Sequence, residues 1–299
     1  MTATGTNTTL GAALMVGCMA LIGLVDNYVV VIAKEVGLWQ FHLVRSLMVC
    51  GILAVLAPVG GWTIWPKRWR GVLIRSAFGG ISMAIYFGAL AFLPIAQVGA
   101  GLFTAPIFVM IFSALFFGAA IGPMRVVAAL VGFAGVLLVL QLDLGALSLV
   151  TILPMLAGVT WAMTAISTRE FCEGEGTVPL LFWFFAALGV IGAIGLVLMG
   201  PGGLGSGEDF VRTGWVAASS TFWFWVSIHA AGSVVAIGML TRAYQVGEVS
   251  YIAIFEYSFL IFASFWAWVI WGDVLNFWAF VGIALIIGSG AVIALRTKA

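Results

Sequence analysis

Residues 249–271 read VSYIAIFEYSFLIFASFWAWVIW, and Glu256 is the one charged side chain among them. The run is long enough for a helix to cross the hydrocarbon of a bilayer, which takes about 20 apolar residues. Its apolar side chains are not confined to one stripe, and a helix that is hydrophobic all round is buried in a large core or in lipid. A carboxylate facing lipid at that depth would cost several kcal/mol, so Glu256 is expected to face other helices. It sits about eight residues into the run, roughly 12 Å deep at ~1.5 Å rise per residue.

The rest of the chain is of the same kind. Of its 299 residues, 64% are hydrophobic and 8% are charged. A soluble domain carries about 25% charged residues. The composition therefore describes an all-α integral membrane protein. A formal charge of +1 argues against nucleic-acid binding, which would need a clustered basic surface. Cys18, Cys50 and Cys172 are scattered and odd in number, which argues against both a disulfide framework and a metal cluster. No HExxH or paired-cysteine spacing occurs, and GPGGLGSG (200–207) lacks the Lys-Ser/Thr ending of a phosphate loop. No cofactor is expected, and no metal. The N-terminal MTATGTNTTLG has no basic residue before the first apolar stretch, so that stretch is expected to remain as a helix.

Breaks at charges, Gly and Pro divide the chain into ten spans, near 11–33, 38–58, 71–92, 95–117, 123–141, 149–168, 178–199, 219–241, 248–271 and 276–295. Leu93-Pro94 makes an almost absent turn and implies an antiparallel hairpin. With the N-terminus inside, Lys67, Arg68, Arg70, Arg75, Arg125, Arg169, Arg242, Arg296 and Lys298 count as cytoplasmic. Lys34, Arg45 and Arg212 then count as external. Nine against three favours cytoplasmic termini, because positive charge concentrates on that side. Trp39, Trp62, Trp65, Trp69, Trp271 and Trp278 lie at span ends, as interfacial residues do. Trp161 lies well inside the sixth span instead.

Five spans per half would insert a duplicated unit upside down, the inverted repeat of many secondary transporters. The halves would be 1–145 and 146–299. GLVDNYVVVIAKE (23–35) aligns with GVTWAMTAISTRE (158–170), and AIYFGALAF (84–92) with AIGMLTRAY (236–244) at an offset of 152. Carried forward, that offset sets Thr104 opposite Glu256 and Pro106 opposite Ser258. Pro106 removes a helix hydrogen bond, and such breaks are tolerated where the backbone is buried in protein or lines a cavity. That level is the expected binding site.

The chain resembles the drug/metabolite transporter superfamily, in particular its ten-helix EamA-type members. The resemblance rests on Thr104-Ala105-Pro106 and the apolar stretch after it, on Arg45, and on Gly272-Asp273. It rests also on Gly132 and Gly135 in the fifth span and on Gly282, Gly288 and Gly290 in the tenth. The acid expected after the fourth span is replaced by Gly118-Ala119. In length and aromatic richness the amino-acid exporters of the YddG type look most similar. The resemblance implies an inner-membrane carrier of a small-molecule substrate, with a central cavity lined by helices one, three, four, six, eight and nine.

The polar residues then sort into two groups. Glu256 is read as a partner for a substrate amine or a coupling proton, against a neutral structural hydrogen bond. Tyr257, Ser258, Thr104 and Pro106 lie at its level, while Trp161, Tyr86 and His229 are further candidates for the cavity wall. Asp26 and Asn27 near the end of the first span, with His42 and Arg45 on one face of the second, are read as an ion pair. That pair is either an outer gate with a carboxylate-binding Arg or a static lock. The expected function is alternating-access export of amino acids, aromatic ones included, or related metabolites. The alternative cargo is a sugar, a nucleoside or a drug-like cation. The bilayer is the solvent, and the oligomeric state is open, a monomer included. An intramembrane enzyme would need a nucleophile and base at one depth, and a channel would need repeated polar rings.

Overall fold

A computed structural model describes residues 7–89, 93, 95–141, 152–201 and 209–296. The expected turn at Pro94, the boundary between residues 145 and 146, most of the glycine-rich 200–207 segment and Lys298 lie outside the described residues. The protein is an all-α, ten-helix membrane protein with two pseudo-symmetric halves. In chain order the helices are α1 (Thr8–Asp26), α2 (Val29–Ala33), α3 (Leu38–Val59), α4 (Trp69–Ala89), α5 (Ile95–Leu102), α6 (Ala105–Phe117) and α7 (Pro123–Leu140). The second half contains α8 (Ile152–Glu170), α9 (Thr177–Met199), α10 (Ser220–Val246), α11 (Val249–Ile252), α12 (Ser258–Trp271) and α13 (Phe277–Arg296).

Three of the ten spans are broken. The first breaks at Asn27-Tyr28 between α1 and α2. The fourth breaks at Phe103-Thr104 between α5 and α6, and the ninth passes from α11 through a 3₁₀ segment, Ala253–Tyr257, into α12. Nine spans among the described residues are long and apolar enough to cross a membrane. The remaining one, the sixth (α8), has 19 residues and is diluted by Thr160, Thr164, Ser167 and Thr168 on its inner side. The eighth span runs on to Val246, past the expected 241, because no helix breaker precedes Gly247.

The packing follows the duplication. The second span packs on the seventh and the fifth on the tenth, while the third packs on the sixth as the eighth does on the first. The first span also meets the ninth, as the sixth meets the fourth. A two-fold operation that exchanges the halves maps each of these pairs onto another or onto itself, as inverted five-helix repeats require. Close approaches agree with the aligned glycines. A Cβ at Gly23 would lie 2.8 Å from the Ala263 backbone nitrogen, and one at Gly158 would lie 2.6 Å from the Gly101 carbonyl oxygen. Each of these glycines brings its helix against the broken helix of the opposite half. Small residues allow such contact in lipid, where packing rather than the hydrophobic effect joins helices.

The outward faces are apolar, as with Leu47, Leu115 and Val197, the last 81% exposed. In water that surface would be unfavourable by about 25 cal/mol per Å², so a bilayer is its solvent. The charged ends segregate. At one end Arg125 pairs with Glu248, the Arg68 N–H donates to Glu175, and Arg169 donates to the Gln245 carbonyl at 2.6 Å. At the other, Trp39 donates to the Val211 carbonyl at 2.8 Å and Gln40 brackets Val216 with two bonds. Trp39 is thus tied to a loop and packed on Gly195, where the sequence reading had an interfacial anchor. Arg75 also departs from expectation. It is 2% exposed and lies inside α4, so it is a core residue and not part of the cytoplasmic charge count.

Candidate functional site

The breaks in the fourth and ninth spans place polar groups in the bundle. In the fourth, Thr104 caps α6 and Pro106 is buried in its first turn, where the missing N–H has no helical partner to lose. The break expected at this proline is present, and it divides the span into two helices. The Gly101 carbonyl accepts from both the backbone N–H and the hydroxyl of Thr104, at 3.2 and 2.5 Å. In the ninth, Ser258 begins α12 and donates to the Phe255 carbonyl at 2.6 Å. The two second helices start at Ala105 and Ser258, within one residue of the 152 offset. Both halves therefore carry a helix break where the sequence reading set a break against a carboxylate.

The 3₁₀ turn is tighter than an α-helix, and it buries both Glu256 and Tyr257. Glu256 is 6% exposed. The Trp161 indole N–H on α8 reaches both of its carboxylate oxygens, at 3.2 and 3.3 Å. The Tyr244 hydroxyl on α10 donates to Oε1 as well. Among the described residues no lysine, arginine or histidine lies within ion-pair distance of this carboxylate. Tyr257 points elsewhere: its ring packs on Gly132 of α7 and its buried hydroxyl has no partner.

A second polar cluster lies toward the other end. The His229 Nε2–H meets Asp26 Oδ1 at 3.2 Å, and Ser233 donates to His229 Nδ1 at 3.3 Å. Arg45 donates through Nη2 to His42 Nδ1 at 3.1 Å. The structure thus joins Asp26 to His229, and Arg45 to His42, with no direct Asp26–Arg45 ion pair among the described residues. Geometry explains the exchange, since α1 packs closely on α10 while α3 packs mainly on α9. Asn27 instead ties the end of α1 to α12 through the Gly23 and Ala263 carbonyls, at 2.6 and 3.1 Å. Tyr86 is half-buried on α4 beside Phe87, at a ring separation of 4.9 Å, and lies within Coulomb range of Asp26.

Sequence reasoning missed Tyr244 and the burial of Arg75. The signal for Tyr244 was present in α10, where His229, Ser233, Ala236, Leu240 and Tyr244 recur at helical spacing and all are buried. Arg75 donates to Thr168 Oγ1, the Leu180 carbonyl and Thr241 Oγ1 at 2.9, 2.8 and 3.1 Å. It therefore links α4 to α8, α9 and α10. Among the described residues no group of three or more His, Cys, Asp or Glu could hold a metal.

Comparison with known proteins follows these features. Residues 9–141 match the EamA-like transporter family. A pseudopaline exporter of Pseudomonas aeruginosa is 28% identical over 231 residues, 76% of this chain and 75% of that protein. A riboflavin transporter of Brucella anthropi is 25% identical over 85% of each chain. An uncharacterized transporter of Helicobacter pylori is 22% identical over 95% of this chain and 94% of its own. A solved crystal structure matches 99% of both chains with a TM-score of 0.80 at 19% identity, a likeness of fold.

Proposed function

We propose that this chain, whose residues 9–141 match the EamA-like transporter family and which is similar to transporters over most of its length, exports amino acids or related metabolites across the inner membrane by alternating access. Glu256 would receive the amine of the solute. The coarser statement stands on the family: this is a secondary transporter of small organic solutes. The finer reading rests on one observation. A carboxyl group is held in the bundle, at a helix break, by two neutral donors and no cation. Burying a carboxylate without a counter-charge is unfavourable, and a bound ammonium group or a proton relieves that cost. Trp161 and Tyr244 fix the carboxyl plane, so its remaining lone pairs are pre-oriented for such a partner.

Alternating access needs elements that bend at the site and helices that slide. Broken helices at equivalent places in the two halves supply the first, and the glycine contacts between halves supply the second. Aromatic rings at both polar clusters, Trp161 beside Glu256 and Phe87 with Tyr86 beside His42, favour a second reading in which the solute is a planar ring system. The similarity to the riboflavin transporter of Brucella anthropi fits that reading.

The test is flux in proteoliposomes, normalised to folded protein, with L-phenylalanine, phenethylamine, a neutral sugar and riboflavin as competitors. Glu256→Gln keeps the size and a hydrogen-bonding head but has no charge. Amine-bearing solutes should lose most of their flux in this variant. Unchanged flux of those solutes at every pH would reduce Glu256 to a packing group and defeat the proposal. Riboflavin as the sole effective competitor would select the second reading.

A further inference from the structure

We propose that Arg45 and His42 form a subsite for the carboxylate group of the transported solute, remote from Glu256. The inference rests on the carrier reading above and adds the chemistry of a second contact. Arg45 lies seven residues into α3 and Glu256 seven residues past Val249, so each is about 10 Å from its own end of the bundle at ~1.5 Å per residue. The two ends are opposite ones, since Leu38 bonds to Phe210 in the loop after α9, whereas Glu248 meets Arg125 at the start of α7.

The argument begins with what an arginine can do. A guanidinium only donates, so His42 Nδ1 must be the acceptor in their 3.1 Å contact. The imidazole is then neutral, with its proton on Nε2. That Nε2–H is buried without a partner, and so is the Nε–H of Arg45. Buried donors of this kind are rare and call for a reason. The Arg45 guanidinium lies 4.9 Å from the ring centroid of Phe41 and 5.5 Å from that of Phe185. These rings hold the fork but accept no hydrogen bond in its plane. Asp26, the acid within Coulomb range, is committed to His229. Arg45, a permanent cation with no ion-pair partner among the described residues and an unused Nε–H, is matched by a planar oxyanion, and His42, bonded through Nδ1 to Nη2, holds the fork. Arginine recognises a carboxylate in this way, through parallel N–H···O bonds.

The residue itself is half-buried and its Nε–H is covered, so a carboxylate would have to part the side chains over it. Glu256 and Arg45 lie at different levels of the bundle, so an α-amino acid, whose amine and carboxylate share one carbon, would meet them in turn along its path and not at once.

The experiment uses the full chain in detergent micelles at constant ionic strength, with binding read from thermal shift. The probes are 3-phenylpropionate, L-phenylalanine, phenethylamine and acetate. In the unmodified protein, 3-phenylpropionate and L-phenylalanine should bind saturably. Arg45→Gln should weaken both at least tenfold and leave phenethylamine within twofold. Arg45→Lys, which preserves charge and guards against a folding failure, should give an intermediate loss. Equal binding of 3-phenylpropionate to Arg45→Gln, or no binding to the unmodified protein, would overturn the subsite. An acetate shift as large as that of 3-phenylpropionate would also overturn it, because the site would then hold any small anion. Flux separates this outcome from the parent reading. Retained 3-phenylpropionate binding with no flux of any solute would retire the carrier and keep the subsite, and normal flux with Arg45-independent binding would do the reverse.

Discussion

Trp161 and Glu256 are 95 residues apart in sequence, and the indole N–H of the first reaches both carboxylate oxygens of the second at 3.2 and 3.3 Å. The contact joins the sixth span to the ninth at the level of the helix break. It turns one side of the carboxyl plane toward the tryptophan, while Tyr244 donates to Oε1. An alternating-access movement that separates α8 from α12 must break or re-aim this bond, so the pair is placed to report the state of the site.

Trp161→Phe keeps the ring and removes the donor. It should fold normally and weaken binding of amine-bearing solutes about tenfold, since one hydrogen bond to a carboxyl in a low-dielectric site is worth about 1–3 kcal/mol. Tyr244→Phe should act in the same direction. Dissociation constants for phenethylamine measured in detergent check both, and affinity unchanged in the pair of variants would show that the donors do not shape the site.

Asp26 should be coupled to His229 and only weakly to Arg45. In a double-mutant cycle on thermal stability, Asp26→Asn with His229→Gln should show an interaction of at least about 0.5 kcal/mol, as groups in hydrogen-bond contact do. Asp26→Asn with Arg45→Gln should be closer to additive. A larger interaction for the second cycle would restore the pairing expected from the spacing of these residues in the spans.

Arg75 is buried with no acid in ion-pair contact among the described residues, and its acceptors are not all left bare by its loss. Thr168, for example, still donates to the Thr164 carbonyl at 2.8 Å. Arg75→Ala should therefore lose stability chiefly through the cavity it leaves, by about 2–4 kcal/mol. Arg75→Met retains volume and removes the cost of burying a charge, so it should lose less than half as much. Equal losses in thermal denaturation would mean that the hydrogen bonds, and not the packing, hold these four helices.

Orientation follows from charge, with Arg75 now set aside from the count. A reporter fused after Ala299 should read as cytoplasmic, and one inserted within residues 200–212 should read as external. The opposite result would invert the sidedness of both the Glu256 and the Arg45 sites.

The number of spans was legible because hydrophobic length is a local property: each stretch of about 20 apolar residues answers to the bilayer alone. The duplication was legible too, through the aligned Gly23 and Gly158 and through the offset that set Thr104 opposite Glu256. Glu256 stood out because a lone carboxyl in an apolar run is costly wherever the run packs. Its partners were not legible. Trp161 and Tyr244 reach it from two other helices, and nothing in a one-dimensional pattern says which face of α8 turns toward α12. Asp26 and Arg45 looked paired because consecutive antiparallel spans were assumed to be neighbours, yet the first span packs on the eighth and the ninth. Arg75 was counted with the loop charges because its distance from the helix start is short. Only the meeting of α4 with α8, α9 and α10 buries it. Helix formation in lipid satisfies the backbone of each span within itself, so sequence alone determines the spans. Which span lies beside which is decided by side-chain fit between them, and that is a property of the folded bundle.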